Sequence, residues 1–456
     1  MNRLTTSQIA EATGGVLRGA ETGCHRVCTD SRKLQAGDLY IALRGDRFDG
    51  HQFSQVALDT GAAAVMVDAR SAPVTGPSVV VEDTRLALGQ LAAYWRKQMP
   101  ARLIAITGSS GKTTVKDMLS AMLSAAVGEN QVWATQGNFN NDIGMPLTLL
   151  GLCPHHQFGV IEMGMNHAGE LAYLVGLAQP EVVLINNAGS AHIGILGSPE
   201  AVARAKGEII LGAPAQAIVV LNADDRYARL WRDFAGQRQV VAFSIHEDSG
   251  KTAQVQAVAC LLHEDHSDIK IRLFDTELAI RLPVPGRHNV MNALAALAAA
   301  QVLGISTDAM RAGLEGFHAP KGRLQFKTGK HGTRLFDDTY NANPESMRAA
   351  IDVLVSSPGI RILVMGDMGE LGEAGVAAHA DIGRYAKACH VDSLYALGEA
   401  SQAAVTQFGA SAQHFSDADA LVQALSAHLG NNVTLLVKGS RFMHMERVVE
   451  QLEEVI

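Results

Sequence analysis

The strongest structural signal in the chain is ARLIAITGSSGKTTVKDMLS, residues 101–120. Its apolar run Leu103–Ile106 predicts a strand, and after a loop of glycine and serine the apolar residues recur at helical spacing. This order is typical of a phosphate-binding loop, in which backbone N–H groups and a lysine face phosphate oxygens and a hydroxyl binds Mg²⁺. We therefore predict that a nucleotide binds to Thr107, Gly108, Ser109, Ser110, Gly111, Lys112, Thr113 and Thr114.

This loop departs from the strict Walker pattern. That pattern places a glycine five residues before Gly111, where Ile106 stands, and the first glycine here is Gly108. A glycine-rich turn without a ligand is the alternative interpretation. The Gly-Lys-Thr-Thr sequence between a strand and a helix favours the nucleotide site.

Length and charge narrow the class of protein. With 456 residues and a net charge of −8, the chain is long enough for several domains and too acidic to favour a nucleic-acid or anionic membrane partner. The first residues, MNRLTTSQIAEATGG, contain no apolar signal segment, and no apolar run reaches membrane-spanning length. The five cysteines are scattered, and Cys24-His25-x-x-Cys28 has no second pair to complete a zinc site. We expect a cytoplasmic protein with reduced thiols.

The pattern of apolar runs predicts an α/β fold with three domains. Residues 1–82 read as a small N-terminal α/β domain, and residues 83–315 read as a doubly wound, mostly parallel sheet with the phosphate loop after its first strand. Within that domain, residues from about Thr252 to Leu282 predict antiparallel strands. In residues 316–456 the alternation restarts as a Rossmann-like domain without its own glycine fingerprint.

Three side chains are expected at the carboxyl edge of the central sheet. Glu162 ends an apolar strand, His192 follows another strand end, and Lys206 lies on the helix that begins after Ser198. Because ligands bind at this edge of an open α/β sheet, all three are candidates for metal or phosphate chemistry. Each has a simpler alternative: Glu162 as a helix cap, His192 as a loop histidine, and Lys206 as a solvated lysine.

Polar stretches elsewhere suit an anionic substrate. TQGNFNNDIGMP, residues 135–146, offers amide donors that include Asn138 and Asn141. FDDTYNANP, residues 336–344, places carboxylates at a strand end, where they can hold ribose hydroxyls. The junction from Lys438 to Arg441 could bind a carboxylate through charge and helix dipole. Turns and helix caps would also explain these residues.

Taken together, these motifs resemble the Mur ligase family, ATP-dependent enzymes that form amide bonds in peptidoglycan synthesis. The matching motifs, in order, are TGSSGKTT, TQGNFNNDIGMP, VIEMG, NNAGSAHIG, SPEAVARAKGE, PGRHNVMNALAA, GR and DDTYNANP. GDMGELG and KGSR most resemble members that join D-alanyl-D-alanine to UDP-N-acetylmuramoyl-tripeptide. TDSR and DGHQF resemble the family's UDP-sugar-binding elements.

The resemblance implies ATP, two Mg²⁺ ions and a monomer. It gives Lys112, His192 and Lys206 catalytic roles, with Thr113 and Glu162 on Mg²⁺, His192 near a second Mg²⁺, and Lys206 as the family's carbamylated lysine. It also implies that Asn289 contacts adenine, Arg323 the phosphates and Asp338 the ribose. The substrate-binding candidates are Ser31, Arg32, Asp49, His51, Asn138, Asn141, Asn343, Lys438 and Arg441.

Four other functions stay open from the sequence. The enzyme could add a different amino acid or dipeptide, or be a folylpolyglutamate-synthase-like ligase, although GDMGELG and the UDP-type first domain argue against the latter. A small-molecule kinase would transfer phosphate without an amine. A non-catalytic nucleotide switch would leave Glu162, His192 and Lys206 without a role.

Overall fold

The computed structural model describes residues 4–45, 48–246 and 253–454. Its strands form three main sheets, which confirms the predicted α/β class with a large, mostly parallel central sheet. Thr252, the predicted start of the antiparallel strands, lies outside the described residues. The domain divisions after residues 82 and 315 stay predictions.

The first sheet has five strands in the order β2-β9-β8-β5-β4. Its pairs are parallel except β2 with β9. The side chain of Thr5 caps the first helix and Gln8 closes a capping box. The elements of this part are β1 (Leu4–Thr5), α1 (Thr6–Thr13), β2 (Val16–Arg18), β3 (Gly23–Cys24), β4 (Arg26–Cys28), β5 (Asp38–Ile41), β6 (Arg44–Gly45), β7 (Phe48–Asp49), α2 (Ser54–Asp59), β8 (Ala64–Asp68), β9 (Ser78–Val81) and α3 (Thr84–Lys97).

The central sheet has nine strands in the order β11-β12-β10-β13-β14-β15-β16-β17-β18. Neighbouring strands are parallel from β11 to β16 and antiparallel from β16 to β18. The elements are β10 (Arg102–Thr107), α4 (Lys112–Val127), β11 (Val132–Ala134), α5 (Gly144–Leu150), β12 (Phe158–Glu162), α6 (Glu170–Ala178), β13 (Val182–Ile185), α7 (Ile193–Leu196), α8 (Pro199–Leu211), β14 (Ile218–Asn222), α9 (Ala228–Ala235), β15 (Val240–Ser244), β16 (Val255–Leu262), β17 (Ser267–Leu273), β18 (Thr276–Leu282), α10 (Arg287–Val302) and α11 (Thr307–Glu315).

Apolar cores lie on both faces of the central sheet. Helices α4, α10 and α11 cover one face, while α3, α5, α6 and α8 cover the other. The core on the face covered by α3 continues into the first sheet, because Leu39 and Met66 belong to the same apolar cluster as Trp95 of α3. Helix α3 therefore joins the N-terminal sheet to the central sheet through shared packing.

The third sheet has six strands in the order β19-β20-β24-β21-β22-β23 and is parallel except for β19. Apolar clusters cover both of its faces. Its elements are β19 (Gln325–Thr328), β20 (Arg334–Asp338), α12 (Pro344–Ser356), β21 (Ile360–Gly366), α13 (Gly375–Ala388), β22 (Ser393–Leu397), α14 (Gln402–Phe408), β23 (Ala412–Phe415), α15 (Ala418–Ser426), β24 (Val433–Lys438) and α16 (Glu446–Leu452).

Within the described residues, no two of the five cysteines form a disulfide bond. That the thiols are reduced stays a prediction. Among the described residues, no helix is both long and apolar enough to span a bilayer.

Candidate active site

The phosphate loop lies at the topological switch point of the central sheet. Strand β10 pairs with β12 on one side and β13 on the other, and the loop leaves its carboxyl end. Chain connections diverge at this position, which opens a crevice for ligands in doubly wound sheets. The N-terminus of α4, which begins at Lys112, faces the same edge and favours anions.

Gly111 occupies a position that only glycine fits. Its φ is +79°, and a Cβ atom there would lie 2.3 Å from Asn292 Oδ1 and 2.5 Å from Asn186 Nδ2. A side chain at this position would therefore push the loop away from the asparagines that hold it.

We expect Gly111→Ala to weaken ATP binding at least about tenfold, because left-handed backbone costs a non-glycine residue about 1–2 kcal/mol before the clash is counted. Nucleotide titration followed by fluorescence or calorimetry measures this change. Gly176→Ala is the matched control, since a Cβ atom at Gly176 meets nothing within 4 Å. Equal ATP affinity in the two variants would contradict the proposed role of the loop.

Two asparagines after β13 hold the loop in shape. Asn187 accepts from Ser110 N through Oδ1 at 2.9 Å, and its Nδ2 donates to Ser110 O at 3.1 Å. Asn186 donates to Ser110 O at 3.0 Å and to Asn292 Oδ1 at 2.9 Å. Sequence reasoning missed this role, although the pair stands at a strand end in the quoted NNAGSAH.

A polar cluster at the start of α4 joins three distant segments. Thr113 Oγ1 donates to Glu162 Oε2 at 2.7 Å and accepts from Arg323 at 2.8 Å. Glu162 is 3% exposed, and its other oxygen accepts from Asn140 Nδ2 at 2.7 Å. The helix-cap alternative for Glu162 is therefore wrong. A hydroxyl and a buried carboxylate beside a phosphate loop are suitable oxygen ligands for Mg²⁺.

The Lys112 side chain already lies within the loop. Its Nζ donates to Gly108 O at 2.8 Å. Burial lowers the pKa of Lys112, Arg323 lowers it further, and the Glu162 carboxylate opposes both effects. Phosphate oxygens would add the negative charge that favours the ammonium form.

Some buried polar atoms around the loop lack a hydrogen-bond partner. Within the described residues six buried side-chain atoms have no hydrogen-bond partner, and two of them, Thr107 Oγ1 and Asn186 Oδ1, lie beside the loop. Such atoms are costly unless a ligand or water satisfies them. Their grouping at one sheet edge fits a site that binds a polar ligand such as a magnesium nucleotide.

His192 lies close to Glu370, in the segment that follows strand β21 of the third sheet. It adopts a left-handed backbone conformation with φ 65° before α7, and its Nδ1 lies 2.9 Å from Glu370 Oε2 without the alignment of a hydrogen bond. This contact lowers the pKa of the Glu370 carboxyl. The peptide of Glu370 also accepts from Gly194 N at 3.2 Å. Sequence reasoning did not identify Glu370, which lies in the quoted GDMGELG.

Lys206 is a buried amine rather than a solvated lysine. It is only 2% exposed on α8, and within the described residues no hydrogen bond or ion pair involves its Nζ. Burial lowers the pKa of Lys206 well below its ordinary value, and the nearby Lys112 lowers it further. Lys206 is therefore poised to be a neutral amine close to the phosphate loop.

The predicted adenine and ribose residues lie on α10 and β20. Asn289 is 6% exposed, and its Nδ2 donates to Pro285 O at 2.8 Å. Asp338 accepts from Leu324 N at 3.1 Å and from Lys438 Nζ at 2.6 Å. Asp337 is turned into the sheet at 1% exposure, which leaves Asp338 as the carboxylate near the crevice. The family resemblance also implied Asp338 for the ribose, and that role stays a prediction.

Comparison with known proteins gives a consistent result over the whole chain. Family models match as the Mur ligase family catalytic domain (residues 24–96), the Mur ligase middle domain (106–300) and the Mur ligase glutamate ligase domain (322–441). UDP-N-acetylmuramoyl-tripeptide–D-alanyl-D-alanine ligase of Escherichia coli is 42% identical, with 100% of this chain and 99% of the relative covered. The chain belongs to the Mur ligase family.

Solved structures agree with this assignment. A crystal structure of MurF from Acinetobacter baumannii is 37% identical and covers 99% of both chains with a TM-score of 0.92. The MurF ligase of Thermotoga maritima, solved in complex with ADP, is 27% identical and covers 94% of this Mur ligase and 96% of its own chain, with a TM-score of 0.83.

In this Mur ligase, the start of helix α12, which packs on the third sheet, contacts the phosphate loop and the loop that follows β13. Asn343 caps α12 by accepting from Ser346 N, and its Nδ2 donates to Ser110 Oγ at 2.9 Å. Glu345 accepts from Ser190 N at 3.0 Å and from Ser190 Oγ at 2.7 Å. The Asn343 side chain is engaged in these two contacts, and its predicted role in substrate binding stays a prediction.

We expect Glu345→Ala to lower kcat/KM about fivefold, because it removes two hydrogen bonds between the two parts of the site, worth about 1 kcal/mol at an exposed position. ATP-dependent phosphate release measures the change. Glu373→Ala is the matched control, since Glu373 is exposed and lies in the short helical turn of 372–374. If Glu345→Ala turned over like Glu373→Ala, this contact would have no part in catalysis.

The amides of the 135–146 stretch have different roles. Asn138 is exposed. Asn141 accepts from Gly144 N at 2.8 Å and so acts as a turn residue before α5. Asn140, which was not among the predicted site residues, is the amide that reaches Glu162.

The side chain of Tyr40 lies close to the substrate-binding candidates of the first sheet. Its hydroxyl donates to Gly50 O, in the DGHQF segment, at 2.9 Å. Burial raises the pKa of Tyr40 to about 12, and the Cys28, Asp30 and Asp49 groups add to this effect. Ser31 begins a short helical turn, and the exposed Arg32 pairs with Asp30 at 2.9 Å.

His51 is bound on both sides. Its Nδ1 lies 2.7 Å from Asp49 Oδ1, and its Nε2 accepts from Asp68 N at 3.1 Å. Both ring nitrogens are therefore engaged within the Mur ligase's first sheet.

The two basic candidates near the C-terminus are also paired. Lys438 is 3% exposed and donates to Asp338 and, at 2.9 Å, to Asn341 O. Arg441 is exposed and lies 3.1 Å from Glu446 Oε1. Of the two, Arg441 is the more accessible to a substrate carboxylate.

Proposed function

We propose that this protein is an ATP-dependent ligase that joins D-alanyl-D-alanine to UDP-N-acetylmuramoyl-tripeptide with release of ADP and phosphate. We place the reaction in the cytoplasm, as a step in making peptidoglycan precursors, and expect a monomer. The named relatives support the substrates, because this chain covers almost their full length.

One observation carries the proposal. The phosphate loop with Lys112, the Thr113–Glu162 pair and the buried amine of Lys206 meet at the switch point of the central sheet. A nucleotide switch needs a phosphate loop but has no use for a buried lysine beside it. A ligase that activates a carboxylate has to hold several negative charges together, and these groups supply that environment.

The reaction would proceed in two displacements. The terminal carboxylate of the tripeptide attacks the γ-phosphorus of ATP, so that a C–O–P link forms and ADP leaves. The amine of D-alanyl-D-alanine then attacks the acyl carbon, phosphate leaves, and the amine loses a proton. Lys112 would hold the negatively charged phosphate in position during the first displacement. Arg323 donates to Thr113, the residue next to Lys112, and would add a second positive charge there.

The residues present fit the metal that the family implies. Thr113 and Glu162 would hold Mg²⁺, which neutralises phosphate charge when it is bound. For a second ion we propose His192 and Lys206. The neutral Lys206 amine would add to CO₂, its nitrogen would bond to carbon, and a proton would be lost to solvent, so that the neutral amine becomes an anionic carbamate whose oxygens suit Mg²⁺.

The remaining site residues are proposed to bind the substrates. Ser31, Arg32, Asp49 and His51 line the region proposed for the UDP-sugar, although His51 would act through Asp49. We propose that Asn138 and Asn141 contribute amide groups to binding of the anionic substrate. We further propose that Asn289 contacts adenine and Asp338 the ribose, and that Asn343, Lys438 and Arg441 are candidates for binding the dipeptide.

Phosphate release with ATP and UDP-N-acetylmuramoyl-tripeptide, measured with and without D-alanyl-D-alanine, tests the proposal. We expect turnover to depend strictly on the dipeptide. Phosphoryl transfer to another acceptor would indicate a kinase, and no turnover with any acceptor would indicate a nucleotide switch. Turnover with other amino acids or with folate substrates would place the protein elsewhere among ligases.

A further inference from the structure

The hairpin between β16 and β17 gathers two histidines and an aspartate at its tip. His263 Nε2 lies 3.3 Å from Asp268 Oδ2, and His266 Nε2 lies 3.6 Å from the same oxygen. One donor atom from each residue lies within 4.8 Å of the other two. His263 N also donates to His266 O at 2.9 Å, so a hydrogen-bonded turn holds the group. We call these three residues the hairpin site.

The histidine rings are oriented as metal ligands often are. His266 Nδ1 lies 2.6 Å from Asp265 Oδ1, so that this nitrogen donates its proton and Nε2 presents its lone pair towards Asp268. The rings of His263 and His266 stack with centroids 4.2 Å apart and planes 11° from parallel. Two charged imidazolium rings would repel each other in this stack, whereas two neutral rings can share one cation.

Arg281 reduces the negative charge of the hairpin site and so affects which cation the site would bind. Its Nε donates to Asp268 Oδ1 at 2.8 Å, and its terminal nitrogen donates to Oδ2 at 3.2 Å. The guanidinium offsets the carboxylate charge, and the site offers few oxygens. Mg²⁺ and Ca²⁺ need several oxygen ligands, while Zn²⁺ and other first-row transition-metal ions bind imidazole nitrogen readily.

We propose that His263, His266 and Asp268 bind one Zn²⁺ or a similar imidazole-preferring divalent ion, separately from the oxygen-rich Thr113–Glu162 site. Glu264, between the two histidines, lies 3.8 Å from Arg334 at the start of β20. The ion would therefore fix the turn where the central sheet's hairpin meets the third sheet.

Isothermal titration of the EDTA-stripped full chain with ZnCl₂, in millimolar MgCl₂ to fill the oxygen-rich site, tests this proposal. We expect wild type to bind one Zn²⁺ that the double variant His263→Gln/His266→Gln binds at least about tenfold more weakly. The matched control is His155→Gln/His318→Gln, which changes two exposed histidines outside the hairpin site and is expected to bind as wild type does.

Equal Zn²⁺ binding by wild type and the hairpin variant, or equal loss in the control, would overturn the site. Asp268→Asn keeps both histidines and covers the case in which the double variant misfolds. It too is expected to weaken Zn²⁺ binding, and unchanged binding would overturn the proposal. Circular dichroism without Zn²⁺ identifies misfolded variants.

Discussion

Lys112→Ala is expected to reduce ADP formation roughly 10²–10³-fold, the loss typical when an enzyme loses one donor that stabilises transition-state charge. The carboxylate and ATP are both anionic, so their approach requires fixed positive charge. Lys112 Nζ contributes one hydrogen bond to the loop, to Gly108 O at 2.8 Å. Its removal should therefore cost little stability. Coupled-enzyme measurement of ADP at saturating substrates gives the rate.

Lys97→Ala is the matched control, because Lys97 is exposed at the end of α3. It removes the same charge without touching the site. The unfolding midpoint of Lys112→Ala should stay close to that of the control, which separates lost catalysis from lost folding. Near-normal turnover in Lys112→Ala would show that the loop is not the phosphate site.

Long apolar elements with clear end signals could be predicted closely from the sequence. Strand β12 ends at Glu162 as predicted, and the predicted strand Leu103–Ile106 lies within β10. Helix α8 begins after Ser198, which caps it, with Pro199 in its first turn. Strands β19 and β23 were not anticipated. Their sequences, QFKT and AQHF, have only a weak alternating pattern. In the folded sheet, pairing with the neighbouring strand stabilises each of them, and this pairing cannot be seen in the local sequence.

The site was predictable in its residue types but not in its contacts. Glu162, His192 and Lys206 follow from strand order, because parallel strands end at one edge. The contact of Glu345 with Ser190 joins residues 155 positions apart, and no local pattern encodes it. Asn141 shows that a local pattern can also suggest more than one role. Its amide suggested a substrate contact, and in the structure it accepts a hydrogen bond within a turn.

Lys206→Arg and Lys206→Ala are both expected to lower turnover roughly 10²–10³-fold. Arginine keeps the positive charge but cannot form a carbamate, so its failure would show that the charge alone is not what the site needs. The low pKa of Lys206, caused by burial and by Lys112, keeps the amine neutral at lower pH than an exposed lysine. Acidification below that pKa should protonate the amine, release CO₂ and reduce activity.

A direct readout of the modification separates this role from simple packing. Wild-type enzyme in ¹³C-bicarbonate should show a carbamate carbon resonance that both Lys206 variants lack and that Lys330→Ala, an exposed control, retains. Acetate or formate should partly restore Lys206→Ala, because a small carboxylate can enter the space left by the side chain and provide the missing oxygen ligand. If wild type kept full activity in CO₂-depleted buffer and showed no carbamate signal, Lys206 would act as a neutral amine, and the second metal position would lose its carboxylate.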